Sequence, residues 1–198
     1  MFEKFIEQIN QQSKLSETDI NYLREYVKIE FYRKNETIIN TGKIIKDIYF
    51  VLDGCVRLFY NVNGKDKTAF FYPEGNFIWT NKSPKHGVPT RKNFDAIENT
   101  ILVQIDKHAV LELMRNSSGF EQITRLGKES ELIAYQQQIA YFVTLSPEER
   151  FMKLFETNPS LFQRVPQQYI ASYLGISAET LSRIKKRVHE KHRNVIYC

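Results

Sequence analysis

Residues Val165–Val188 constrain this chain more tightly than any other stretch, because they read as two short helices around a tight turn. Pro166 suits a helix's first turn, where its missing N–H costs nothing, and Ile170, Ala171 and Leu174 recur at helical spacing. Gly175 predicts a left-handed cap that ends the first helix, since glycine enters that conformation without steric penalty. Ser177 reads as the N-cap of a second helix beginning at Ala178. In that helix Leu181, Ile184 and Val188 share one face, while Ala178, Glu179, Ser182, Arg183 and Lys186 share the other. A small residue in the first helix, a glycine turn and a polar, basic second helix predict a helix-turn-helix, which lays its second helix in the DNA major groove. The alternative is an ordinary helical hairpin with a solvated basic face. The agreement of turn, cap and two-faced helix favours the first reading.

Charge distribution supports it. The whole chain carries a formal +5, which is modest for a nucleic-acid binder. From Ala178 onward six cations (Arg183, Lys185, Lys186, Arg187, Lys191 and Arg193) face only Glu179 and Glu190, so a net +4 sits on the reading helix and the residues beyond it. Lys185–Arg187 alone would suit a solvated helix end, favoured by the dipole, better than a phosphate site. The 198 residues allow one large core or two modest ones. No apolar run could span a bilayer, and Glu3, Lys4 and Glu7 break any signal-peptide pattern, so a cytoplasmic protein without a membrane partner is expected. Cys55 and Cys198 are too few and too far apart for a disulfide framework or an iron–sulfur cluster, and Cys55 reads as a buried structural thiol.

Residues Met1 to about Ile29 read as helices, with Phe2, Phe5, Ile6 and Ile9 on one face and Ser16 capping a helix that carries Ile20, Leu23 and Val27. Alternation then takes over at 37–39, 48–52, 56–60, 68–72 and 101–105, with Asp53-Gly54 and Asn63-Gly64 as expected hairpin turns. Many short strands at this spacing predict a closed antiparallel roll of the jelly-roll type. The stretch from about Thr80 to Lys92 is rich in Pro, Lys, Asn and Gly, and a loop of that length in a compact roll is the leading ligand-site candidate of the first domain. From Phe120 to about Leu145 helical periodicity returns. Ile123, Leu126, Ser130, Ile133, Gln137, Ala140 and Thr144 form a heptad-like seam for a parallel partner helix. Leu132, Tyr135, Ile139 and Phe142 form a second stripe suited to the chain's own roll. Ser146-Pro147-Glu148-Glu149 starts a further helix and marks a domain boundary.

The order of roll, long helix and helix-turn-helix, together with two segments, resembles the Crp/Fnr family of bacterial transcription regulators over essentially the whole length. Ile48–Arg57 is similar to the family's strand-Gly-strand hairpin, and Ile176–Arg183 to its reading helix. The resemblance implies an α+β protein: an antiparallel β-roll (double-stranded β-helix) sensor domain of the cyclic-nucleotide-binding type over 1–118, a dimerisation helix over 119–145, and a helix-turn-helix domain, winged in the family, over 146–198. It implies a homodimer on a palindromic operator in double-stranded DNA, with RNA polymerase as a further partner.

In the family the acid and arginine matching Glu179 and Arg183 contact base edges, with Ser177 or Thr180 near phosphate. This agrees with arginine's bidentate fit to guanine and glutamate's to the cytosine amine. The candidate DNA-contacting set is Gln167, Ser177, Ala178, Glu179, Thr180, Ser182, Arg183, Lys186 and Arg187; the candidate dimerisation set is Ile123, Leu126, Ile133 and Ala140. Cyclic-nucleotide binders in this family carry a Gly-Glu pair followed by Arg-Ser or Arg-Thr. Here the corresponding place reads Asn76-Phe77-Ile78-Trp79-Thr80, and Arg91-Lys92 offers the only basic contact. Phe77, Trp79, Thr80, Arg91 and Lys92 are therefore the ligand-site candidates for a small-molecule effector that is not expected to be cyclic AMP, with a core place near the roll's mouth as the equal alternative for Trp79. Ala178 stands where a base-reading arginine is common, and Asn194–Cys198 leaves room for one short wing strand at most.

Two other classes compete with this reading. A cupin-like metalloenzyme would need clustered metal ligands, whereas His86, His108, His189 and His192 are scattered and no nucleophile motif or phosphate-cradling loop is present. A ligand-independent DNA binder would share the helix-turn-helix without a sensing role for the roll. No cofactor or metal ion is expected, and no enzymatic activity.

Overall fold

Alternating and helical stretches become eight strands and eight helices among the residues described by the computed structural model, 1–79 and 88–195, with side chains through residue 190. The chain opens with α1 (Phe2–Asn10) and α2 (Glu17–Tyr26), and the Ser16 hydroxyl and Asp19 carboxylate close a reciprocal capping box on α2. The strands are β1 (Val27–Tyr32), β2 (Thr37–Ile39), β3 (Asp47–Asp53), β4 (Val56–Val62), β5 (Lys65–Tyr72), β6 (Phe77–Ile78), β7 (Asn93–Ala96) and β8 (Thr100–Asp106). They make two four-stranded sheets, ordered β1-β8-β3-β6 and β2-β7-β4-β5, the antiparallel roll that the alternation predicts.

Three local expectations change. The helical period extends to about Ile29, but α2 stops at Tyr26 and Val27 turns extended, because Val27–Tyr32 pairs with β8 from Val27↔Ile105 to Tyr32↔Thr100. That pairing joins residues far apart in sequence and overrides the local helical period. Asp53-Gly54 does not close a hairpin: β3 and β4 belong to different sheets, and the chain turns a corner between them. Gly54 has φ +91°, and a Cβ there would lie 2.6 Å from the Thr100 hydroxyl and 2.8 Å from the Asn99 carbonyl oxygen, so only glycine fits. Asn63-Gly64, both at positive φ, is the two-residue turn between β4 and β5, as expected. Finally, β7 has no strand signal of its own in the sequence.

By contact density the chain divides into two units, residues 1–59 with 71–135, and residues 60–70 with 136–198. The first holds α3 (Lys107–Asn116) and the start of α4 (Ser118–Thr144). Its main core joins Phe5, Ile9 and Leu23 of the amino-terminal helices to Phe50, Leu52, Val103 and Ile105 of one sheet and to Val110, Leu113, Phe120 and Ile123 of α3 and α4. Cys55 is buried, as expected.

The second unit holds α5 (Pro147–Thr157), α6 (Leu161–Arg164), α7 (Gln167–Tyr173) and α8 (Ala178–Val195). Ser146 caps α5 through a capping box with Glu149, with Pro147 at the first helical position. The tip of the β4–β5 hairpin belongs here too: Thr68 N–H donates to the Ser172 hydroxyl of α7 at 2.9 Å. α8 runs on through Asn194 and Val195, where a wing strand had room, and Ile196–Cys198 lie outside the described residues. Among the described residues no helix is long and apolar enough to cross a membrane.

Candidate nucleic-acid interface

The turn between α7 and α8 is built by backbone chemistry that only this sequence order supplies. Gly175 sits at φ +70°, Ile176 N–H reaches back to the Ala171 carbonyl at 3.0 Å, and Gly175 N–H to that of Ser172 at 3.1 Å, the Schellman pattern. Pro166 lies one residue ahead of the first helical residue, as the N-cap of α7, so Gln167 takes the first helical position, exposed. Ser177 caps α8, its hydroxyl accepting from Thr180 N–H at 3.2 Å.

α8 then divides by face. Leu181 and Ile184 are fully buried, each burial contributing ~1.5–3 kcal/mol to holding the helix down. Ser177, Ala178, Glu179, Ser182, Arg183, Lys186 and Arg187 are exposed, and Thr180 is half-buried. The Thr180 hydroxyl bonds Ser177 Oγ at 3.1 Å and accepts from Arg183 Nη2 at 3.2 Å, a ladder along the first two turns that aims the guanidinium. Glu179 is held below the usual carboxylate range, chiefly by the Ser177 hydroxyl and also by its own backbone N–H and by Arg183. Arg187 pairs with Glu148 of α5 at 3.2 Å, whereas Lys186 lies 4.0 Å from Glu190. The face thus offers one carboxylate and one guanidinium for base edges and a flanking lysine for phosphate.

The long helix α4 carries the candidate dimer seam, and one of its four residues drops out. Ile123 is fully buried in the chain's own core. Leu126 is half-buried, while Ile133 and Ala140 are exposed. Leu132, Ile139, Phe142 and Val143 add exposed apolar surface, so of the stripe assigned to the roll only Tyr135 turns inward. The buried position of Ile123 is not legible from heptad spacing, which treats the whole helix as uniform.

Of the ligand-site candidates, the two aromatic residues turn into the core. Phe77 and Trp79 stack on each other, with ring centroids 4.9 Å apart, inside the core formed with the helices. Trp79 is only 4% exposed, and a Cβ at Gly127 would sit 3.3 Å from its ring, so α4 packs directly on the indole. Arg91 is exposed, and Thr80 lies outside the described residues. Lys92 is half-buried, its ammonium pulled below the usual lysine range by burial, with the Glu131 carboxylate opposing that shift. Sequence reasoning missed what surrounds it. Tyr72 Oη donates to Glu131 Oε1 at 2.7 Å and lies 2.7 Å from Tyr135 Oη, which reaches the same carboxylate oxygen at 2.9 Å. Among the described residues no three His, Cys, Asp or Glu side chains gather to hold a metal ion.

Residues 29–117 match the cyclic nucleotide-binding domain family. The nitrogen fixation regulation protein FixK of Bradyrhizobium diazoefficiens is 27% identical over 196 residues, covering 89% of this chain and 79% of FixK. Among solved structures, FixK2 of Bradyrhizobium japonicum superposes with a TM-score of 0.71 at 19% identity over 84% of this chain and 86% of its own. A CooA variant from Carboxydothermus hydrogenoformans gives 0.71 at 16% identity over 94% and 84%. Domain match, relative and fold agree with the order of roll, long helix and helix-turn-helix: residues 29–117 form a cyclic nucleotide-binding domain, and the chain as a whole is similar to regulators of the Crp/Fnr type.

Proposed function

We propose that the protein binds a palindromic operator in double-stranded DNA as a homodimer, with α8 of each protomer in the major groove. One observation carries the reading: Glu179, Ser182, Arg183 and Lys186 stand exposed on one face of a helix whose opposite face, Leu181 and Ile184, is buried. Arg183 and Glu179 read base edges, each good bidentate contact being worth ~1–3 kcal/mol of discrimination. Ser177, Ser182, Lys186 and Gln167 hold phosphates, and Arg187 joins them on releasing Glu148.

The dimer forms along residues 119–145, through Leu126, Ile133 and Ala140, with the exposed Val143 flanking the seam. Its two-fold axis sets two reading helices about one DNA turn, roughly 34 Å, apart. The sensor segment then covers 1–118 and the reading domain 146–198. The protein acts in the cytoplasm as a regulator rather than an enzyme, meeting RNA polymerase at its promoters.

Selection of bound duplexes from a random pool tests this directly. The expected outcome is a two-fold-symmetric site, with preference relaxed at one position per half-site in Arg183→Ala. An asymmetric site, or unchanged selectivity in the variant, overturns the assignment.

A further inference from the structure

A cyclic-nucleotide-binding fold raises the question of whether these residues fit a cyclic nucleotide, and they do not. The stretch that would hold ribose and phosphate has no acid over Asn76–Trp79, and its two aromatic side chains are spent in the helix-packed core. The half-buried cation Lys92 lies within electrostatic range of the Glu131 carboxylate, whose charge opposes the approach of a ligand phosphate. That carboxylate is fixed by two phenols. Tyr72, 1% exposed on β5, and Tyr135 on α4 both bond Glu131 Oε1, and their hydroxyls touch each other. Charge-assisted bonds of this length in a part-buried setting are the stronger kind, and they join a strand of the roll to the middle of the long helix.

From this geometry we infer that the Tyr72–Glu131–Tyr135 triangle takes the place of a bound nucleotide: the roll is fastened to α4 by the chain's own side chains, and the regulator works without a cyclic-nucleotide effector. The inference rests on the DNA-binding reading for its consequence. Its physical content concerns the free protein. A nucleotide would have to displace two phenol–carboxylate bonds and meet a carboxylate where it needs a cation. Gly127 lets α4 approach Trp79 closely, since a Cβ there would sit 3.3 Å from the indole.

The test uses the full-length protein. Thermal unfolding with cyclic AMP or cyclic GMP at millimolar concentration is expected to leave the melting temperature unchanged. A concentration-dependent rise of more than about 2 °C with either nucleotide overturns the inference. Hydrogen exchange of Tyr72→Phe, which keeps the ring and loses only the hydroxyl, is expected to speed up over residues 128–138 by about tenfold or more. Unchanged exchange there overturns it. Should Tyr72→Phe fail to fold, Tyr135→Phe, on the half-buried partner, carries the same readout. Both measurements are made without DNA, so a failure to bind any duplex would count against the proposed function and leave this result standing. With the selected operator present, cyclic AMP is expected to change its affinity less than about twofold, and an increase of about tenfold would overturn the inference.

Discussion

Arg57 and Asp95 face each other directly across the β4–β7 pair and meet through two charge-assisted hydrogen bonds, Nε–Oδ1 at 3.0 Å and Nη2–Oδ2 at 2.5 Å. The Arg57 side chain is almost wholly buried, and its guanidinium also lies over the Phe59 ring at 4.1 Å. Removing the Asp95 carboxylate takes two charge-assisted hydrogen bonds from a nearly buried guanidinium, so Asp95→Ala is expected to cost ~3–5 kcal/mol. Urea denaturation measures it. A loss below about 1 kcal/mol, the range of an exposed pair, would show that solvent reaches Arg57.

Gly175→Ala is expected to lower stability by ~1–2 kcal/mol, because φ +70° crowds a Cβ against the following carbonyl. The new methyl would also lie 2.7 Å from Phe142 Cε1, but that ring is half in solvent and can swing aside, so the backbone dominates. Gly175→Asn separates the two effects. Asparagine tolerates the left-handed region, and Asn should recover part of what Ala loses if conformation rather than crowding sets the cost.

These two sites mark what sequence can and cannot disclose. The α7–α8 turn is legible because its determinants are local: a glycine for the left-handed cap, a serine three residues before the N–H it accepts, and apolar residues on one helix face. Ser16 and Ser146 are legible as caps for the same reason. Arg57 and Asp95 are not, because they are 38 residues apart and become partners only when β4 pairs with β7. The start of β1 reads as the tail of a helix because Val27 continues the spacing of Ile20 and Leu23, and its true partner, β8, begins beyond residue 99. Phe77 and Trp79 suggest a ligand site because aromatic residues beside a long loop invite that reading. The structure puts their rings against α4 and the other helices of the core, a face that strand alternation alone could not name.

The capping box at Ser146 gives a pH-dependent prediction. Glu149 is held below the usual carboxylate range by the Ser146 hydroxyl and backbone N–H. A carboxylate depressed in the folded state contributes stability that is present above its ordinary range and lost as pH falls through its lowered value. Ser146→Ala should therefore lower the melting temperature near neutral pH, and the gap to the parent should narrow on acidification toward about pH 4 and below. A gap independent of pH would mean that the hydroxyl alone, acting on Glu149 N–H, supplies the cap.

On the reading face, affinity and selectivity should separate. Lys186 is four-fifths exposed and free to meet phosphate, so Lys186→Gln is expected to weaken all duplexes alike and to reduce the log–log salt slope by ~0.9 per site. Thr180→Val keeps the charge count and shape but removes the hydroxyl that accepts from Arg183. Its expected effect is relaxed preference at the Arg183 position with the salt slope unchanged, restored by Thr180→Ser. A general loss of affinity that Ser does not restore would show that Thr180 supports the helix rather than aiming the arginine.

The assembly prediction rests on where α4 leaves apolar surface exposed. Ile133 is 46% exposed, and with Leu126 and Ala140 it recurs every seven residues on one line of the heptad seam, while Val143, 80% exposed, flanks that seam beside Thr144. Ile123, one heptad-like step earlier, is sealed inside the first unit, so the seam begins at Leu126 and has fewer than three full heptads to work with. A charge at its centre should be decisive: Ile133→Glu places two like charges across the two-fold axis and is expected to shift the protein to monomer at micromolar concentration by sedimentation equilibrium. Because Ile133 is exposed in the single chain, the monomer should keep its far-ultraviolet dichroism and melt cooperatively. Operator affinity should fall toward that of one half-site. Leu132→Glu, a neighbouring exposed position off the seam, is the control and should stay dimeric; if it dissociates and Ile133→Glu does not, the helices meet through the Leu132–Ile139 stripe instead.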